Sequence, residues 1–238
     1  MYIINVCIIY LVQIVKMIYY NNINIGIILT KQTIFYLCSY NSKLFLFMLN
    51  IVIFGAPGSG KGTQSEKLIE KYHLTHISTG EILRNEIEHD TKLGQLANKY
   101  MSEGQLVPDE VVIDILDGLL GDNPDSVGFI FDGFPRTLKQ GEALDKMLSK
   151  RGERINVVLS LEADDEELTN RLIKRGEMSG RSDDTLETIK ARLQVYYGQT
   201  AQLKEYYANQ GNLALIDGIG TVDDIFGRIE NTVDKLKY

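Results

Sequence analysis

The chain has 238 residues, a net charge of −7 and two cysteines. That length suits one α/β domain or two small ones, and the acidic balance argues against broad nucleic-acid binding, because a polyanion needs a basic surface. Both cysteines, Cys7 and Cys38, lie in the first 47 residues, so the remainder has no disulfide framework and no cysteine zinc site, and a reducing cytoplasm is its expected home.

Residues 1–47 differ from the rest. They are crowded with Ile, Tyr, Asn, Leu and Phe, and carry Lys16, Lys31 and Lys43 but no Asp or Glu. The apolar run 2–18 is interrupted by Asn5, Gln13 and Lys16, and at about 17–20 residues it is marginal for crossing a bilayer. It lacks the basic start and small-residue cleavage site of a signal peptide, and the arginine-rich amphipathic pattern of a transit peptide. Met48 stands just before the first predicted strand. The expectation is that translation starts at Met48, with 1–47 an extension outside the folded domain 48–238. The alternative is a membrane anchor or targeting segment.

The first element is the apolar, β-branched run Ile51, Val52, Ile53, Phe54, which suits a strand buried on both faces of a parallel sheet. Gly55, Gly58, Gly60 and Lys61 follow in the spacing G-x-x-x-x-G-K of a phosphate-binding loop. Glycines allow a tight turn that aims several N–H groups at one point. A helix starting near Gly60 adds the positive end of its dipole, and Lys61 brings a full charge to the outer phosphates. Gly62 stands where Ser or Thr usually holds Mg²⁺, and Thr63 comes one place later.

Next come a helix over 60–72, with Leu68 and Ile69 inward, and a short strand over 74–78. Ser78 and Thr79 are natural caps for a helix from about Gly80, with Arg84 one turn along. Helical periodicity continues over 91–102, Gly104 to Pro108 breaks it, and Pro108 opens a helix to about Leu120. A turn at 121–124 leads to a buried strand, 128–132, ending in Asp132. Helix 138–150, strand 156–161 and helix 164–174 follow. A polar loop over 175–184, a long helix over 185–209, strand 213–217 and helix 223–236 complete the chain. Alternating strands and helices predict an α/β fold, a parallel sheet with helices on both faces.

In such sheets ligands bind beyond the carboxyl ends of the strands. Lys61, then Thr79 and Arg84, then Asp132 and Arg136, each follow a strand. Asp132 suits the acid that orders Mg²⁺ and its waters in phosphate-loop enzymes. Arg136, after a glycine and a proline, suits a bidentate phosphate ligand on a rigid loop. Arg175, Arg181 and Arg192 lie in or beside the polar loop. Singly, each of these arginines reads as a solvated surface residue. Together with Lys61 they exceed what one triphosphate needs, so two phosphate-bearing substrates are expected.

At this point the motifs resemble one family. Gly55 to Gln64 resembles the phosphate loop of adenylate kinases, in which a glycine follows the lysine, as Gly62 does here. Ser78-Thr79-Gly80 with Arg84 resembles the start of its AMP-site helix. The turn from Gly104 to Pro108, and Asp132 to Arg136 with Gln140, are similar to its AMP-site segments. Lys174-Arg175-Gly176, Gly180 to Asp184 and Arg192 resemble the short form of its lid. The resemblance runs from about Met48 to Tyr238 and does not include 1–47.

The resemblance implies a P-loop NTPase-like sheet with an AMP-binding helical segment over about 78–107 and a short lid over about 175–185. It implies the transfer ATP + AMP ⇌ 2 ADP. Gly58, Ser59, Gly60, Lys61, Gly62 and Thr63 would hold the ATP phosphates, with Arg175 closing over them and backbone at Gly220 against the base. Thr79, Arg84, Gly133, Phe134, Pro135, Arg136, Arg181 and Arg192 would surround AMP, and backbone at Gln105, Leu106 and Val107 would line its base. Gln140 would read adenine. Lys61, Arg136, Arg175, Arg181, Arg192 and Asp132 would form the catalytic set. Mg²⁺ arrives with ATP, reached by Asp132 through water and with no direct protein ligand. The lid has no Cys or His, so no zinc is expected. Small-molecule substrates ATP, AMP and ADP, no nucleic acid, no membrane and a monomer complete the expectation.

The nearest alternative is a kinase of UMP and CMP. Thr79 and Gln140 favour AMP over it, because the resemblance places Ala and Asn there in those relatives. A non-catalytic nucleotide-binding protein is the alternative of another class, against which Lys61, Asp132 and the lid arginines stand.

Overall fold

The computed structural model describes residues 48–179 and 185–236, all within the unit that runs from Phe47 to Tyr238. Five parallel strands form one sheet. They are β1 (Ile51–Gly55), β2 (Thr75–Ser78), β3 (Phe129–Asp132), β4 (Val157–Glu162) and β5 (Leu213–Asp217), in the order β2-β3-β1-β4-β5. β1 is buried at every position, as its unbroken apolar run requires. Its alternate residues feed two cores. Val52 and Phe54 join Phe129, Phe131 and Val158 on one face. Ile51 and Ile53 join Ile130, Val157 and Leu159 on the other.

Helices cover both faces. α1 (Lys61–Tyr72) and α9 (Val222–Val233) bring Leu68, Ile225 and Ile229 to the second core. α4 (Asp109–Asp122), α5 (Leu138–Lys150) and α8 (Gln202–Asn209) bring Leu116, Leu144, Leu203 and Tyr207 to the first. Two short helices, α2 (Thr79–Glu88) and α3 (Lys92–Met101), stand between β2 and α4. α3 is capped by Thr91, whose hydroxyl accepts from the Gly94 N–H at 2.9 Å. α6 (Asp165–Ser179) and α7 (Leu186–Val195) follow β4, and a π-helical turn, Tyr196–Thr200, joins α7 toward α8.

Two sequence expectations need correcting here. The polar loop was expected from Arg175, but α6 runs on to Ser179. Gly176 costs a helix only about 1 kcal/mol, too little to end one with capped, acidic first-turn residues behind it. The single long helix over 185–209 is interrupted by the π turn. Its buried residues Ile189, Leu193, Tyr196, Thr200, Leu203 and Tyr207 keep ordinary helical spacing, so the pattern gives no sign of the wider turn.

Buried Asn50 locks the entry to β1. Its Oδ1 accepts from the Phe129 N–H at 3.1 Å and its Nδ2 donates to the Arg154 carbonyl at 3.1 Å, so both ends of the amide are satisfied. The register then aligns the strand ends: Ser78 pairs with Asp132, Gly55 with Leu161 and Glu162 with Asp217. All five carboxyl ends therefore reach one edge. Among the described residues no helix is long and apolar enough to cross a membrane.

Candidate active site

The phosphate loop leaves β1 at Gly55 and enters α1 at Lys61, with Gly58 and Gly60 in left-handed backbone (φ 86° and 94°). A side chain at either would strain that turn. Gly60 occupies the cap of α1 without a capping side chain, so the first N–H groups of the helix face the loop's concavity. Lys61 folds back over the loop: its Nζ donates to the carbonyls of Gly55 at 2.8 Å and Ala56 at 3.0 Å. Enclosure of the ammonium pushes its pKa down to about 7; Asp132 pulls it upward, and Arg136, Arg192 and Arg175 push it further down. Four groups from β3, the loop after it, α7 and α6 thus converge electrostatically on one lysine.

Beside the loop lies a cavity open to solvent on one side. Thr79, Arg84, Gln105, Leu106, Val107, Gly133, Arg136, Gln140 and Arg192 line it, every one a residue the sequence singled out. Leu83, Met101 and Val112 also line it. Sequence reasoning missed these three, because helical periodicity marks them only as inward-facing. The polar side is ordered by the backbone of the loop after β3. The Gly133 carbonyl accepts from Thr79 Oγ1 at 3.0 Å and from Arg136 Nε at 2.8 Å. Gly133 is in left-handed backbone (φ 76°), which a side chain would strain, and a Cβ there would crowd the Arg136 guanidinium at 3.0 Å and the Thr79 hydroxyl at 3.3 Å. Gly104 (φ 74°), which also lines the cavity, lies against α7: a Cβ there would meet the Thr188 carbonyl, Ala191 and Arg192 within about 3.0–3.1 Å.

Gln140 is 2% exposed, yet its amide edges the cavity. Its Oε1 accepts from the Arg136 N–H at 2.7 Å, and its Nε2 donates to Asp109 Oδ1 at 2.7 Å.

The family model for adenylate kinase matches residues 53–212, which take in the loop, the cavity and both arginine-bearing helices. The chain belongs to the adenylate kinase family. It is 55% identical over 190 residues to the adenylate kinase of Parabacteroides distasonis, covering 80% of this chain and 100% of that protein. It is 57% identical over 189 residues to that of Phocaeicola vulgatus, covering 79% and 100%, and 50% identical over 190 residues to that of Porphyromonas gingivalis, covering 80% and 98%.

Within this adenylate kinase the remaining predicted residues fall at different distances from the cavity. Phe134 is 1% exposed and belongs to the core; neither it nor Pro135 lines the cavity. Ser59 is buried within the loop, and Gly62 and Thr63 are exposed on the first turn of α1. Arg175 lies on α6. Arg181 lies outside the described residues. Gly220 (φ 121°) follows β5, in a segment tied to its neighbours by Arg171 Nη2, which donates to the Gly218 carbonyl at 3.0 Å, and by Gln64 Nε2, which donates to the Val222 carbonyl at 3.0 Å. Ser78 caps α2 without a side-chain hydrogen bond, and Thr79 spends its hydroxyl on Gly133 instead. His76, which no motif singled out, brings Nε2 to 4.0 Å from Asp132 Oδ2.

Among the described residues no group of three or more His, Cys, Asp or Glu side chains could hold a metal. Asp132, whose charge acts on Lys61, is 13% exposed and ends β3. That donor set fits an ion held chiefly by substrate phosphates and water, the usual state of nucleotide-bound Mg²⁺.

Proposed function

We infer that this enzyme transfers a phosphoryl group reversibly between ATP and AMP, giving two ADP. The observation that carries the reading is the cavity beside the Lys61 loop that Arg84, Arg136 and Arg192, from three separate segments, line together. One triphosphate on the loop does not call for a second set of guanidinium groups around a separate pocket. A monophosphate acceptor does.

In this reading the loop amides and Lys61 take the ATP phosphates. The Lys61 ammonium leaves the carbonyls of Gly55 and Ala56 for phosphate oxygens, a move within the loop's own dimensions. Arg84 and Arg136 hold the AMP phosphate, Arg192 and Arg175 neutralise charge between the two substrates, and Gln140 reads the adenine edge. The acceptor phosphate is already an anionic nucleophile, so no general base is needed. Positioning and charge neutralisation supply the catalysis. Mg²⁺ bound with ATP would neutralise phosphate charge, and Asp132 would order its water shell. Arg181 belongs to the same proposal, with Gly220 against the ATP base. The reading takes 48–238 as the kinase domain, with 1–47 outside it, and takes the enzyme to be monomeric and cytoplasmic. Light scattering on purified protein and cell fractionation test the last two.

A coupled assay of AMP, UMP, CMP and GMP with ATP tests the main reading. AMP is expected to be the preferred acceptor by a wide margin. Preferred use of UMP or CMP would overturn it.

A further inference from the structure

We propose that Asp109, which does not line the cavity, is a positioning residue that sets which purine the enzyme accepts by fixing the orientation of the Gln140 amide. The inference rests on the reading that Gln140 faces the base. It deepens that reading by assigning the source of the specificity.

An amide side chain can present its oxygen and nitrogen in either of two orientations, and only its neighbours choose between them. Here both neighbours make the same demand. The Arg136 backbone N–H, 2.7 Å from one end, can only donate, so that end must be oxygen. The Asp109 carboxylate oxygen, 2.7 Å from the other end, accepts, so that end is nitrogen. Asp109 is itself held. Thr137 Oγ1 lies 3.1 Å from both of its oxygens and also caps α5, accepting from the Gln140 N–H at 3.2 Å. Asp109 further sits in the first turn of α4, where the helix dipole favours negative charge. The chain Thr137–Asp109–Gln140–Arg136 therefore closes on itself.

Each used bond leaves another. Gln140 keeps one free N–H and one free oxygen lone pair, in a fixed order, at the wall of the cavity. Adenine offers an acceptor at N1 beside a donor at its 6-amino group, which such an edge can match. A 6-oxopurine offers the reverse, a donor at N1–H beside an acceptor at O6. Matching it would require the amide to turn over, placing its NH₂ against the Arg136 N–H and its oxygen against a carboxylate. Two like-polarity contacts in a buried site oppose that turn. Without Asp109 only one of them remains.

The test compares the KM for AMP with the inhibition constant of inosine monophosphate against AMP, at saturating ATP, in the parent and in Asp109→Ala, Asp109→Asn and Gln140→Leu. Loss of a charged hydrogen-bond partner is expected to shrink the discrimination in Asp109→Ala about tenfold, through a raised KM for AMP with a smaller change in kcat. Asparagine can accept the same bond through Oδ1, so Asp109→Asn should keep discrimination within about threefold of the parent. Should the alanine variant melt far below the parent, Asp109→Leu supplies the bulk without the acceptor. Equal weakening of AMP and inosine monophosphate in both Asp109→Ala and Asp109→Leu, while Gln140→Leu loses discrimination, would overturn the role of Asp109 and leave Gln140 as reader. Undiminished discrimination in Gln140→Leu would overturn the reading of Gln140, and this inference with it.

Discussion

Thr79 Oγ1 and the Gly133 carbonyl are joined at 3.0 Å, a bond that ties the first residue of α2 to the loop after β3. The same carbonyl receives Arg136 Nε. Removing the hydroxyl should loosen the arginine's seat without touching the phosphate loop. We expect Thr79→Val to raise the KM for AMP about fivefold, near 1 kcal/mol, with kcat and the KM for ATP little changed. Steady-state kinetics with each substrate varied in turn checks this; an equal rise in both KM values would contradict it.

Arg136 reaches the cavity from a loop fixed at both ends, by Gly133 and by Gln140. Arg136→Ala should cost ~2–4 kcal/mol in kcat/KM for AMP, the usual consequence of deleting one preorganised electrostatic donor, and should spare ATP binding. The measurement is kcat/KM for AMP alongside an ATP dissociation constant. Unchanged AMP turnover would remove Arg136 from the site.

Lys61→Met should lower turnover at least ~10²–10³-fold, because in the proposed reading it deletes a charged donor to the ATP phosphates. The fold should survive. The ammonium is desolvated where it sits, so a neutral side chain there relieves a cost even as two carbonyl contacts are lost. Circular dichroism and thermal melting should match the parent or exceed it while the coupled assay falls to background.

The pH dependence follows from the same lysine. Its folded-state pKa, about 7, lies below the ordinary lysine value of 10.5. Between those values the unfolded chain holds the proton and the folded one does not, so this group makes stability rise with pH across that window. Bound phosphate anions reverse the balance and favour the charged form. ATP binding at pH 8 is therefore expected to take up a proton. Calorimetry in two buffers of different ionisation enthalpy reads the uptake directly, and Lys61→Met should abolish it. Absence of uptake in the parent would contradict the placement.

Much of this was legible in the chain itself, for physical reasons that can be named. β1 and β3 are buried on both faces, so their apolar runs are unbroken, and the loop glycines sit at the spacing a phosphate demands. The family resemblance then pointed to Arg84, Arg136, Arg192 and Gln140, which line one cavity. What escaped was whatever depends on partners far away in sequence. Asp109 looks like any acid at a helix start until Gln140, on another helix, is seen to donate to it. Thr79 looks like a cap, and its hydroxyl turns out to serve β3's loop. Gly176 looks like a helix end, but a local cost of about 1 kcal/mol is too small to stop α6.

Gly94 is a further case of a role set by a distant neighbour. A Cβ there would fall 2.0 Å from the Glu86 carbonyl, so α2 and α3 touch backbone to side-chain root. Gly94→Ala should destabilise the enzyme by ~1–3 kcal/mol through forced separation of the two helices. Because that pair supplies Arg84, Leu83 and Met101 to the cavity, AMP affinity should fall as well. Urea unfolding and an AMP titration on the same preparation check both halves.

The contact of Gly104 with Thr188, Ala191 and Arg192 gives the cavity a seam instead of a rim. On that side its wall is two segments far apart in the chain, held close because one of them contributes no side chain of its own. A methyl group at Gly104 would press on Ala191 and Arg192, and so would reach the nucleotide cavity through the helix that brings one of its arginines.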